Sequence, residues 1–365
     1  MLARVHKAIL LADGWLPFDQ FMAMALYEPG LGYYANQQPK FGSMPLSGSD
    51  FVTAPELSPL FGATLAQQVA QALKATGTDE VWEFGAGSGA LAHQLLTELQ
   101  QLGCRLKSYN IMDLSSTLKA RQQAKLTEFG DQVQWLSQWP DTLQGVVVGN
   151  EVLDAMPVKL LHRLQGVWHE RGVVAADLAD NPDGLAWEDR PTSLRPPMEP
   201  VGEHNYLTEI QPQGEAFVAS LAERLLASEK GGAAFFLDYG FPESEFFHPE
   251  RHMGTVMCHQ AHKADANPLA AVGLKDITAH VNFTGMALAG QDAGLQVLGY
   301  TSQARFLLNL GLAERMAASP LAERAQAMRL ISEHEMGELF KVLGFATHAH
   351  WQAQGFAAGD RSHRL

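Results

Sequence analysis

Asn150, Glu151 and Asp154 put an amide and two carboxylates at the end of an apolar run, Val146 to Val148, in the stretch GNEVLDAMPV. Buried strands do not end this way without a reason, and in open α/β sheets ligands bind beyond the carboxyl ends of the strands. A helix cap before Pro157 for Asp154 and a plain surface acid for Glu151 are the ordinary alternatives.

A second such place is EFGAGSGAL, Glu83 to Leu91. Gly85, Gly87 and Gly89, with Ala86 between the first two, let the backbone turn sharply and let a ligand approach main-chain atoms. A bare glycine turn is the alternative. A dinucleotide loop has the spacing G-x-G-x-x-G, but here the third glycine comes one residue early, which disfavours a nicotinamide oxidoreductase. S-adenosylmethionine carries no pyrophosphate, and an acid at Glu83 suits its ammonium or sulfonium better than it suits an anion.

Further along, Asp113 with Leu114, in IMDLS, is placed for ribose hydroxyls, whose donors want a carboxylate acceptor. Trp135 or Leu136 would lie against an adenine, although both also fit simple core packing. In GSDFVTAPELS, Phe51 and Val52 would exclude water while Thr53 and Glu56 make polar contacts. The glycine-rich approach from Gly42 to Gly48 suits a lid that moves. Glu209, in YLTEIQP, is a secondary candidate for the acceptor pocket or a helix-start acid.

The elements that must position these residues alternate. EVWEF (80–84) reads as strand one. Ala90 to Leu102 reads as a helix with Leu91, Leu95, Leu99 and Leu102 on one face and Gly103 as its stop. Ser108 to Leu114 is strand two, VQWL strand three and GVVVGN strand four; Ser115 would cap the helix after strand two. Ser58 and Pro59 open a helix that Gly77 closes. The alternation predicts an α/β fold, a mostly parallel, doubly wound sheet with helices on both faces. After strand four come a hairpin turning at Gln165-Gly166, a Pro-rich surface connection (189–202) and a helix over Phe217 to Leu226. A fifth buried strand, Ala233 to Tyr239, follows. ITAHVNFTGMALAG reads as a helix and GFATHA as a last edge strand. The expected organisation is an N-terminal helix and lid over residues 1–60, then the main domain over 61–365 with insertions around 158–210 and 245–330.

The 365 residues carry a formal net charge of −14 with 46% hydrophobic content, so no basic stripe is available to neutralise nucleic-acid phosphates. The acidity is mildly consistent with a cationic substrate. Two cysteines, Cys104 and Cys258, exclude a disulfide framework. Cys258, His259 and His262 alternate along a strand, and no metal is expected there. No apolar run spans a bilayer, and the short patch at Ile9 to Ala12 is too brief for a signal-peptide core. The expectation is a cytoplasmic chain; a homodimer is compatible with it.

EFGAGSG, YNIMDLSSTLKARQQ and GNEVLDAMPV together resemble the MidA-like methyltransferases, and YYANQQPKFG, GSDFVTAPELSPLFG, YLTEIQP, FLDYGFP and DITAHVNF extend the likeness over roughly residues 18 to 345. Asp113 stands where many relatives carry Glu, and CHQAHK replaces their usual aromatic and arginine. The resemblance implies a class I, Rossmann-like fold, S-adenosylmethionine as cofactor, and methyl transfer to a protein arginine, with a respiratory complex I subunit as acceptor in mitochondrial relatives. A small-molecule O- or N-methyltransferase, or a cofactor-binding assembly factor without turnover, uses the same scaffold. For an arginine acceptor, carboxylates would orient the guanidinium and bias its charge away from the reacting nitrogen. That assigns Glu151 and Asp154 to the acceptor and Asn150 to the cofactor side.

Overall fold

Apolar runs separated by amphipathic helices assemble here into one sheet. The computed structural model describes residues 1–36, 52–113, 116–177, 183–260, 263–348 and 351–365. Its main strands are β1 (Glu80–Phe84), β2 (Ser108–Met112), β3 (Val133–Leu136), β4 (Gly145–Asn150), β5 (Gly232–Phe241), β6 (Gln296–Ser302) and β7 (Phe340–Ala346). Their spatial order is β3-β2-β1-β4-β5-β7-β6. The first five are parallel neighbours, and β7 runs antiparallel to both β5 and β6.

Every residue of β1, β2 and β4 is buried, as a parallel sheet covered on both faces requires. Successive side chains point to opposite faces. Val81, Ile111, Val146 and Val148 meet the helices Pro59–Thr76 and Ala90–Gln101. Trp82, Phe84, Val147 and Phe236 meet the helices Pro212–Leu226 and Phe283–Asp292. The first of these helices starts where its sequence says it should. Ser58 Oγ accepts from Leu60 N at 3.3 Å, Pro59 holds the first helical position, and Gly77 closes the helix at φ +64°.

Between β4 and β5 the chain builds a second, antiparallel sheet from Lys159–Leu164, Val167–Ala175, Leu185–Pro191 and Tyr206–Ile210, with Leu16–Pro17 at one edge. The N-terminal helices Leu2–Leu11 and Phe18–Tyr27 pack on it through Val5, Ile9, Phe18 and Phe21. A small sheet of Met257–Gln260, Lys263–Asp265 and Asp276–Thr278 follows β5.

Several expectations are corrected. GFATHA is not an edge strand: β7 lies inside the sheet and β6 forms the edge. That edge strand, QVLGYTS, is buried only from Gly299 to Ser302. ITAHVNFTGMALAG is helical only from Phe283; its first half forms the strands Asp276–Thr278 and Val281–Asn282, and the Asn282 side chain caps the helix by accepting from Gly285 N. The Pro-rich connection begins as strand, because Asp189, Arg190 and Pro191 complete Leu185–Pro191 on the sheet's outer edge, where a proline removes no needed donor. The helix expected from Phe217 starts at Pro212. Strand two stops at Met112, and Leu102 is exposed rather than on the buried face of its helix. Phe51, Leu114, Ser115, His262 and the Gly42 to Gly48 approach lie outside the described residues.

Candidate active site

Strand order reverses between β1 and β4, and the crevice this opens at their carboxyl ends is where doubly wound sheets hold ligands. A cavity of about 940 Å³ lies there. Gly85, Gly87 and Gly89 turn from β1 into the next helix with φ of +65°, +53° and +80°, values costly for residues with a Cβ. At Gly85 a Cβ would also stand 3.1 Å from Val152 Cγ2. The loop therefore runs close under the segment that follows β4.

The fully buried Gln122 fixes this loop to the tip of β2. Its Nε2 donates to Gly87 O at 3.0 Å and to Asp113 Oδ2 at 2.8 Å, while its Oε1 accepts from Trp135 Nε1 at 3.0 Å. Because an indole N–H only donates, the amide has one orientation. Glu83, buried in β1, accepts from Tyr109 Oη at 2.6 Å. Burial pushes its carboxyl up to about 8; the Tyr109 hydroxyl opposes the shift and the Asp113 charge adds to it.

Glu151 is the first residue past β4 and sits at φ +53°. A non-glycine residue in the left-handed region needs its surroundings to hold it. Those surroundings are Asp238 in β5. Its Oδ2 accepts from three consecutive amides, Val152 N at 3.1 Å, Leu153 N at 2.9 Å and Asp154 N at 3.2 Å, a backbone nest around a carboxylate. Glu151 N meanwhile donates to Leu237 O at 2.9 Å. Asn150 Nδ2 donates to Glu151 Oε1 at 3.0 Å, and Asn150 Oδ1 is buried without a partner.

Glu151, Asp154 and Asp276 line one side of the cavity. Burial first, then the Asp154 charge, push the Glu151 carboxyl up to about 8, against hydrogen bonds from Asn150 and the Ala54 amide. Burial likewise raises Asp154 to about 6, opposed by the Tyr239 hydroxyl that donates to it. Burial, with Asp154 and Glu151 nearby, pushes Asp238 well up too. Tyr34 Oη donates to Asp276 Oδ1 at 2.9 Å, and the Tyr34 ring stacks on Tyr27 at 5.6 Å. Tyr27 in turn donates to Ala155 O at 2.8 Å. The TAPE segment joins the two sides: the Ala54 amide reaches Glu151, and Ser88 of the glycine loop donates to Glu56. The short helix Ala54–Leu57 is held from behind by Gln94, whose Nε2 donates to Pro55 O at 2.8 Å.

Thr53, Glu56, Glu83, Gly85, Ala86, Gly87, Asp113, Asn150, Glu151 and Asp154 all line the cavity. Gly89 lies behind it against Gln122. Leu136 lines it too, while Trp135 serves Gln122 instead. Glu209 is not part of the lining; its Oε1 braces a neighbouring loop by accepting from Thr255 N at 2.7 Å and Val256 N at 3.1 Å. The sequence reading missed Gln122, Asp238, Asp276, Tyr27 and Tyr34. Asp238 sits in FLDYG and Asp276 opens DITAHVNF, but nothing in spacing connects residues so far apart in the chain.

The residues fit S-adenosylmethionine. Asn150 Oδ1 is a buried acceptor in need of a donor, which an ammonium supplies. Phe84 packs against Trp139 and Phe217, with ring centroids 4.9 and 5.2 Å away, giving an apolar side. The only lysine or arginine residues in the described lining are Arg251 and Arg329, and neither belongs to the elements around the glycine loop. A pyrophosphate there would face the carboxyls of Glu83 and Asp113, with no lysine or arginine of the described lining on these elements. Among the described residues no group of three His, Cys, Asp or Glu side chains is placed to hold a metal ion.

The profile of the family described as "Putative S-adenosyl-L-methionine-dependent methyltransferase" matches residues 64–301. "Protein arginine methyltransferase NDUFAF7, mitochondrial" of Danio rerio is 29% identical over 92% of this chain and 86% of its own length. The Drosophila melanogaster homologue, also named as a mitochondrial protein arginine methyltransferase, is 27% identical over 94% and 84%. A crystal structure of a protein from Burkholderia thailandensis bound to S-adenosyl-homocysteine is 46% identical and superposes with a TM-score of 0.93, covering 100% of this chain and 96% of that one. None of the described helices is long and apolar enough to cross a membrane.

Proposed function

The chain belongs to this family, the MidA-like S-adenosylmethionine-dependent methyltransferases, and on that premise we propose that it methylates the guanidinium of a protein arginine. The observation that carries the proposal is the convergence of Glu151, Asp154 and Asp276 on one side of the cavity, with the carboxyls of Glu151 and Asp154 both pushed up by burial. A guanidinium is the side chain that three such carboxylates suit, since it donates five N–H bonds in a plane. The arginine methyltransferase names of relatives at 25–29% identity support the same acceptor. A complex I subunit as the target protein belongs to this proposal.

The bound cofactor supplies an electrophilic methyl carbon on a sulfonium. The protein's part is to hold Asp113 toward hydroxyls, Asn150 Oδ1 and Glu83 toward positive charge, and the acceptor nitrogen in line with that carbon. Glu151 and Asp154 grip two guanidinium nitrogens and leave the third to react. Their raised proton affinity also fits them to take the proton that the product nitrogen must lose. Thr53 and Glu56 close the cavity from the N-terminal side.

Glu151→Gln and Asp154→Asn test this reading. The assay is transfer of labelled methyl from S-adenosylmethionine into an extract of cells lacking the protein. Each variant is expected to bind S-adenosylhomocysteine as the wild type does and to lose transfer by at least about a hundredfold, the scale of a positioned acid–base group. Undiminished transfer in both variants would move the acceptor site elsewhere.

A further inference from the structure

The cavity continues beyond the acid cluster to Arg251, Thr255 and His280, which nothing above employs. Arg251 is half-buried, and its guanidinium carbon stands 3.9 Å from the centroid of the Phe241 ring. Its Nε donates to Glu245 O at 3.2 Å. Stack and bond together fix the plane of the fork, yet among the described residues no ion pair or hydrogen bond takes up its terminal nitrogens. Among the described residues neither nearby carboxylate is paired with Arg251, and Glu209 Oε2 is itself buried without a partner. Glu245 pairs with Arg364, and Glu209 accepts from the Thr255 and Val256 amides. Arg329, the other cation of the lining, is paired with Glu335.

This arginine lies on the acceptor side. It follows β5, and β4 stands between β5 and the glycine loop of β1. From Asp154 the cavity side runs through Tyr239, which bonds Asp154, and His280, 5.2 Å from Tyr239; Phe241, which is not in the lining, lies 5.2 Å from His280. Arg251 caps that row. His280 Nδ1 is buried without a partner, and burial, with Arg251 and Lys341 beside it, lowers the ring to about 4. The imidazole is thus neutral, and of the two neighbouring cations it is Arg251 that lines the cavity.

Resting on the arginine-acceptor reading above, we infer that Arg251 is an anion subsite that reads an acidic side chain two or three residues from the methylated arginine. An oriented, unpaired guanidinium fork is built for a carboxylate. The two ring steps of 5.2 Å bound the Tyr239–Phe241 separation at about 10 Å, a length that up to three residues of extended peptide cover at about 3.3 Å each. The acceptor segment would carry a cationic side chain into the acid cluster and an anionic one onto Arg251.

Two short peptides test this as inhibitors of methyl transfer into the extract described above: Ac-Ala-Arg-Ala-Asp-Ala-NH2 and its Asn counterpart. The wild type is expected to be inhibited by the Asp peptide at about tenfold lower concentration, the scale of a charge-assisted bidentate contact. Arg251→Ala, or Arg251→Gln if the first does not fold, should erase that preference while S-adenosylhomocysteine binding stays unchanged. Equal inhibition of the wild type by both peptides overturns the inference, as does a preference that survives in the variant. If Glu151→Gln and Asp154→Asn both methylate the extract undiminished, the acceptor reading itself has failed. If both are inactive and the Asp preference is absent, only the subsite falls.

Discussion

Replacing Gln122 by Met keeps the side chain's length and apolar bulk and removes its amide. Three hydrogen bonds are lost: to Gly87 O, to Asp113 Oδ2 and from Trp135 Nε1. At about 0.5–1.5 kcal/mol net for each, the loss in stability is about 2–4 kcal/mol. With about 2–4 °C per kcal/mol in chains of somewhat smaller size, the melting temperature should fall by about 4–16 °C. The effect on the cofactor is separate. Gln122 orients Asp113 and holds the glycine loop at Gly87, so its removal loosens both ends of the cofactor cradle at once. A loss of about 1.4 kcal/mol, one charge-assisted contact held less well, weakens binding about tenfold. Gln122→Glu should be worse, because it sets a second carboxylate against Asp113 where a donor stood. Calorimetric titration with S-adenosylhomocysteine gives the affinities, and a thermal scan without ligand gives the stability. If Gln122→Met binds within twofold of the wild type and melts within about a degree of it, the reasoning is refuted.

Two further outcomes follow from the acid cluster. Glu151 has its carboxyl raised from 4.5 to about 8, so between those values the folded protein binds more protons than the unfolded chain. Its contribution to stability is full below about pH 4.5 and is lost as the pH rises through 8. Glu151→Gln should therefore gain in melting temperature relative to the wild type on going from about pH 5 to about pH 9, and a difference independent of pH would contradict this. Asp238→Ala leaves the amides of Val152, Leu153 and Asp154, and that of Tyr239, which now donates to Oδ1 at 3.0 Å, without acceptors. At about 1–3 kcal/mol for each buried donor the loss rivals the whole stability of a domain. Little folded Asp238→Ala is expected, whereas Asp238→Asn, which can keep an oxygen toward the three amides, should fold. Equal denaturant midpoints for Asp238→Ala and the wild type would show that the nest is not needed.

The parts of the site that the sequence exposed are those where a local rule is broken visibly. Glycines alternate after an apolar strand, and Asn150, Glu151 and Asp154 end a run of valines, so both ligand-facing loops could be seen from spacing alone. Gln122, Asp238 and Asp276 obey their local patterns. Gln122 reads as one more polar residue on a helix, and Asp238 and Asp276 as acids near strand ends. Their roles come from the order β2-β1-β4-β5 and from the small sheet that carries Asp276, which bring residues scattered along the chain together, and strand order is not written in periodicity. The misplacement of β7 has the same origin. An alternating apolar strand can lie at an edge or inside a sheet, and only its pairing with β5 and β6 decides.

Methyl transfer to a protein arginine is tested most directly by mass spectrometry of the proteome from cells with and without this protein. The account predicts at least one protein whose peptides carry dimethylarginine only when the protein is present, and which lose it again when Glu151→Gln replaces the wild type. An arginine methylation pattern identical in the two proteomes, with a methylated small molecule appearing in its place, would contradict it.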